Sequence, residues 1–135
     1  MRFVDTNVLL YAISSAESES QKRVAAYQLL QADDLALSAQ VLQEFYTQAT
    51  RSSRPGRLQH AEAAALVSAW QRFPVQDTTV AIVERAMATA QRFQISYWDA
   101  AIIESARAAG CDTVLSEDLQ DGQNFAGVRV VNPFR

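Results

Sequence analysis

Phe3-Val4-Asp5-Thr6-Asn7 places a carboxylate directly at the end of the first apolar run, where an extended segment hands over to a helix. Residues 2–4 read as a short buried strand and 7–13 as the helix that follows. The same alternation recurs along the chain. A helix over 18–32 takes its apolar positions from Val24, Ala25, Tyr27, Leu29 and Leu30, and Leu35-Ala36-Leu37 is the next strand. Ser38 suits the N-cap of a helix over 39–51, in which Leu42, Phe45, Tyr46 and Ala49 recur at helical spacing. Pro55-Gly56 breaks the pattern. A helix over 58–72, an extended piece near Val75 and a helix over 79–93 capped by Asp77 or Thr78 come next. Trp98 to Ala109 forms a further helix closed by Gly110, and residues 113–115 and 128–131 complete the strands.

Strands separated by helices predict a three-layer α/β/α sandwich around a mostly parallel sheet, because parallel neighbours need a crossover and a helix usually supplies it. With 135 residues, 49% of them hydrophobic, and only four Gly and three Pro, residues 1–135 are expected to form a single domain with one core. There is no apolar run long enough to span a bilayer and no basic flank followed by an apolar leader, so a soluble, cytoplasmic protein without a membrane partner is expected. The single cysteine, Cys111, can form neither an internal disulfide nor a thiolate zinc site, and reads as a small buried hydrophobe.

A formal net charge of −3 argues against a nucleic-acid partner, since phosphate binding rests on Lys and Arg. The total hides its distribution. If Asp5, Glu44, Asp99 and Asp118 together hold a cation, the remainder is −3 + 4 = +1, and Arg51, Arg54 and Arg57 then form a local basic segment able to meet phosphates.

Those four acids are the candidate site. Ligands of open α/β sheets bind beyond the carboxyl ends of the strands, and Asp5 and Asp118 lie just past strand ends there. Glu44 and Asp99 come from the first halves of helices that start at the same rim. Each acid has an ordinary explanation by itself: Asp5 can cap a helix, Asp99 stands at capping-box spacing from Ser96, Glu44 flanks an apolar stripe, and Asp118 belongs to a turn. Four unrelated caps need not share one edge of one sheet, and this is what gives the set its weight.

The order and spacing of Val4-Asp5-Thr6-Asn7, of Glu44 within Ser38-Ala-Gln-Val-Leu-Gln-Glu44-Phe, of Tyr97-Trp98-Asp99-Ala100 and of Leu115-Ser116-Glu117-Asp118 resemble PIN-domain proteins, in particular VapC-type toxins of toxin–antitoxin pairs. The resemblance spans residues 1 to about 132. It implies a Mg²⁺- or Mn²⁺-dependent endoribonuclease that hydrolyses RNA with metal-activated water, a homodimer, and a cognate antitoxin. It further implies Asp5 and Asp99 as principal metal ligands, Glu44 and Asp118 as the other acids, and Thr6, Asn7 and Ser116 as positions that orient the cluster or contact phosphate. Asp121 is held in reserve for Asp118, because the last acidic motif offers more than one carboxylate.

Other classes fit less well. An aspartyl phosphohydrolase needs a second Asp two residues after Asp5, where the chain has Asn7, and a receiver domain needs a Lys near its C-terminal end, whereas the only Lys is Lys22. A non-catalytic PIN-like RNA-binding or interaction module is the remaining alternative. His60, the only histidine, reads as a surface residue, Trp98, Trp70 and Phe73 as core or rim, and Tyr11, Tyr27, Leu29 and Leu30 as core or a patch for a second chain.

Overall fold

The computed structural model describes residues 1–135. Six strands form one sheet: β1 (Arg2–Val4), β2 (Leu35–Ser38), β3 (Val75–Gln76), β4 (Thr113–Leu115), β5 (Asn124–Phe125) and β6 (Val128–Val131). Their spatial order is β3-β2-β1-β4-β6-β5, parallel throughout except for the β5–β6 pair. Six α-helices connect and cover them: α1 (Thr6–Ala12), α2 (Ser20–Leu29), α3 (Ala39–Ala49), α4 (His60–Trp70), α5 (Val80–Phe93) and α6 (Tyr97–Ala108). This is the α/β sandwich that alternating elements predict.

The central strands are buried on both faces, which is why they carry continuous apolar runs rather than an alternating pattern. Phe3, Val4, Leu35, Ala36, Leu37, Val114 and Leu115 are all buried, and Val8, Leu9, Phe45 and Ile103 pack over them from the helices. Cys111 and Trp70 join the same core. Trp98 does not: it lies open on the surface at the start of α6.

Several boundaries differ from sequence expectation for identifiable reasons. The first helix starts at Thr6, because Asp5 is extended and its carboxylate accepts the Thr6 amide as an N-cap. The second is shorter than 18–32, its start displaced by a 3₁₀ turn over Glu17–Glu19. Gln59 and Glu62 share a capping box that begins the fourth at His60 rather than Leu58. The fifth is capped by Thr79, whose hydroxyl accepts from the Ile82 amide at 3.2 Å, and not by Asp77 or Thr78. Gly110 closes the sixth with a positive φ of 80°, while the amides of Gly110 and Cys111 return to the carbonyls of Arg107 and Ala106 at 3.1 and 2.9 Å. That is a Schellman ending, in which only glycine meets the left-handed geometry without cost.

Strand β5 is not among the strands expected from sequence. It pairs with β6 through a two-residue loop, Ala126-Gly127, both with positive φ, as a type I′ hairpin requires. Asn-Gly would announce such a turn, and Ala-Gly does not. The strain at Ala126 is offset from outside: the Arg107 guanidinium donates to the carbonyls of Phe125 and Ala126 at 2.6 and 2.7 Å, while Arg107 is itself held by buried Glu104 at 3.0 Å.

Candidate active site

Strand order reverses at β1: the chain proceeds from β1 outward to β2 and β3, then returns to place β4 on the other side of β1. Helices leaving the two neighbours therefore diverge, opening a crevice beyond their carboxyl ends. Asp5 follows β1 and Ser116-Glu117-Asp118 follows β4, so both motifs meet there by topology. A cavity of about 310 Å³ opens at this point, lined by Asp5, Thr6, Asn7, Glu44, Asp99 and Asp118 among others. Four elements of the chain thus contribute one acid each to a single space.

Short polar side chains connect these acids. Asp5 is 7% exposed, and its Oδ1 accepts the Thr6 amide at 2.7 Å while Oδ2 accepts the Ser116 hydroxyl at 2.8 Å. Thr6 Oγ1 donates to Glu44 Oε2 at 2.9 Å, and Gln40 Nε2 donates to the other Glu44 oxygen at 2.8 Å. The Asn7 amide nitrogen lies within 3.3 Å of Asp5 Oδ2 and within 3.2 Å of both Ser116 Oγ and Asp118 Oδ2. Its carbonyl oxygen accepts from the Glu117 amide at 3.3 Å. Thr6 consequently ties Asp5 to Glu44, and Asn7 ties Asp5 to Asp118.

Electrostatics report the same proximity. Burial pushes the Asp5 carboxyl up to about 6, against the stabilising bonds from Ser116 and Thr6, and the charges of Asp118 and Glu44 push the same way as burial. The Asp99 carboxyl is also raised, first by burial, with the Ser96 hydroxyl opposing and Asp118 and Glu44 adding. Like charges oppose closer approach, and the acids ring the cavity without drawing three carboxylates to a common point. Their chemistry suits a hard divalent cation: the anionic donors are carboxylates, and no imidazole or thiolate lines the space.

The profile of the PIN domain family matches residues 2–123. The chain belongs to that family. Solved structures agree in fold. A toxin–antitoxin complex from Klebsiella pneumoniae matches this PIN domain with a TM-score of 0.70 at 21% identity, over 98% of each chain. A sarcin–ricin-loop-cleaving VapC toxin from Mycobacterium tuberculosis matches with a TM-score of 0.67 at 20% identity, over 87% of this chain and 92% of the other. The FitAcB structure from Neisseria gonorrhoeae gives a TM-score of 0.62 at 21% identity over 99% of each. No curated protein sequence matches.

Not every candidate residue of this PIN domain reaches the cavity. Asp121 turns away: its Oδ1 accepts the Asn132 amide at 2.8 Å and Oδ2 pairs with Arg135 at 3.5 Å. Of the three arginines of the 51–57 turn only Arg54 lines the space. His60 is exposed and hydrogen-bonded to the Tyr46 hydroxyl at 2.9 Å. Conversely, Glu19 and Tyr11 line the cavity, and Gln40 supports Glu44 from one helical turn earlier. Tyr11 donates its hydroxyl to Glu117, which also pairs with Lys22, so α1 and α2 together hold the segment that carries Asp118. Apolar patterning hid Tyr11, whose ring packs on the core while its hydroxyl serves the site.

Proposed function

We propose that this PIN domain is a metal-dependent endoribonuclease and the toxin of a toxin–antitoxin pair. The observation that carries the reading is the convergence of Asp5, Glu44, Asp99 and Asp118 on one crevice at the β1/β4 switch point, wired through Thr6, Asn7 and Ser116. Asp5 and Asp99 would hold Mg²⁺ or Mn²⁺ directly, with Glu44 and Asp118 completing the set directly or through water. The ion supplies positive charge that acidifies water and offsets the negative phosphate. The chain's own residues do the rest. Ser116 and Thr6 keep the Asp5 oxygens aimed, Asn7 keeps Asp118 beside them, and Gln40 fixes the rotamer of Glu44. Arg54 is the cation of the cavity wall and meets the substrate phosphate. The products keep a 5′-phosphate and a 3′-hydroxyl.

Residues 1–135 act as one nuclease domain, cytoplasmic and homodimeric, restrained by a cognate antitoxin. The toxin–antitoxin complex among the structural relatives supports that partner. No helix is long and apolar enough to cross a membrane. Val24 and Tyr27 stand exposed on α2 and offer an apolar face for a second chain.

Thermal melting with and without Mn²⁺, beside an RNA cleavage assay, tests the reading. An ion at about a hundred times its dissociation constant stabilises the folded chain by about 2.7 kcal/mol, and Asp99→Asn should lose most of that gain together with cleavage. Metal stabilisation without cleavage of any RNA assigns the chain to the non-catalytic binding modules instead.

A further inference from the structure

Trp98 is 67% exposed at the first turn of α6, on the wall of the same cavity and next to Asp99 in sequence, whereas the other tryptophan, Trp70, is buried at 6%. Its backbone is fixed by the Ser96 cap, whose hydroxyl accepts the Asp99 amide at 3.1 Å. Its indole is braced edge-on by Tyr97, with ring centroids 5.1 Å apart at 82°, and Tyr97 packs against buried Ala86, Ala100 and Ala101. The platform is therefore preorganised. Facing an anionic chain, the cavity offers little else: Arg54 is its only cation, against five carboxylates. Arg54 is also free to act, since the ion pairs of the chain are Arg2–Asp34, Lys22–Glu117, Arg107–Glu104 and Arg135–Asp121.

Beyond any bound cation, Arg54 is the one cationic side chain in the cavity, and phosphate neutralisation by side chains cannot by itself add much binding. Stacking on an aromatic face can, because every unpaired base has a π-face, while bases inside a duplex are already stacked. Resting on the ribonuclease reading above, we infer that Trp98 is a base-stacking subsite that takes one unpaired base of the RNA substrate. Arg54 holds the phosphate and the indole of Trp98 takes one base beside it. Trp98 acts on affinity and on the choice of strand, and leaves the cation ligands untouched.

The test measures binding and cleavage of a short unstructured RNA, of the same strand annealed to its complement, and of versions in which one nucleotide at a time is abasic. Binding is read in an Asp5→Asn background, so that the strand survives, by anisotropy of the labelled RNA and by quenching of indole emission. Trp98→Ala is expected to weaken single-strand binding roughly 5- to 150-fold. Trp98→Phe should restore most of it, and one abasic position should abolish the difference that Trp98→Ala makes. Equal binding by Trp98→Ala, equal affinity for the duplex, or a loss that is the same for every abasic strand overturns the inference. So does a change in oligomeric state on Trp98→Ala with RNA binding intact, which assigns the indole to a protein interface. Cleavage with Mn²⁺ in the otherwise native chain separates the two claims. If wild type and Trp98→Ala cleave and bind alike, the subsite falls and the ribonuclease stands. If nothing is cleaved while Trp98-dependent binding persists, the reverse holds.

Discussion

Asp5 does two jobs with one side chain. Its Oδ1 caps α1 through the Thr6 amide and its Oδ2 takes the Ser116 hydroxyl, so capping the helix and joining the group of acids are compatible in one side chain. Burial raises its carboxyl to about 6, so between an unfolded value near 3.9 and that point the folded chain binds a proton that the unfolded chain has lost. Stability from this group is accordingly greatest at low pH, declines as pH rises across the window, and stays lower above it. Asp5→Asn removes the penalty. Without metal, the variant should gain on wild type by up to about 3 kcal/mol at pH 7, less any hydrogen-bond geometry lost at Ser116, and by only about 0.5 kcal/mol at pH 4. Parallel urea melts at the two pH values check this, and a difference independent of pH contradicts it. The meeting of Asp5, Glu44, Asp99 and Asp118 was legible because Asp5 and Asp118 follow strand ends while Glu44 and Asp99 lie on helices that start at the same rim. The choice between Asp118 and Asp121 was not, because it turns on the path of the chain after β4, which brings Asp118 to Asn7 and hands Asp121 to the Asn132 amide.

Among the elements, helices with strong caps were readable from sequence, and those whose ends depend on tertiary contacts were not. Ser38 and Ser96 accept the amides of Val41 and Asp99, and Gly110 takes the left-handed position, all from local chemistry. The β5–β6 hairpin escaped because Ala126, at φ 52°, adopts its turn under the hold of Arg107, a residue on α6 that is distant in sequence. Removing the strain should stabilise the fold. Ala126→Asn keeps the carbonyl that Arg107 grips and tolerates the left-handed region, so a gain of about 0.5–1 kcal/mol is expected. A higher urea midpoint at unchanged slope is the signature, and a lower midpoint would show that the turn depends on the alanine methyl.

For the molecule as a whole, one topological fact governs the site: the sheet reverses its strand order at β1, and the crevice this opens gathers residues from α1, α3, α6 and the segment after β4. Alternating elements predict the layers, but strand order is set by long-range packing. The meeting of Asp5 with Ser116 and of Asn7 with Asp118, more than a hundred residues apart, could therefore be anticipated from sequence without being fixed by it. Five carboxylates against one arginine leave the crevice negatively charged in the absence of a cation. The central proposal for this PIN domain is that its converging acids make a metal-dependent ribonuclease. The decisive experiment is cleavage of end-labelled RNA by purified wild type, Asp5→Asn and Asp99→Asn, with Mn²⁺ and with chelator, beside circular dichroism of each protein. We expect Mn²⁺-dependent cleavage leaving 5′-phosphate ends in wild type alone, with all three chains folded; equal cleavage by the folded variants, or by wild type in chelator, would refute the metal-dependent mechanism.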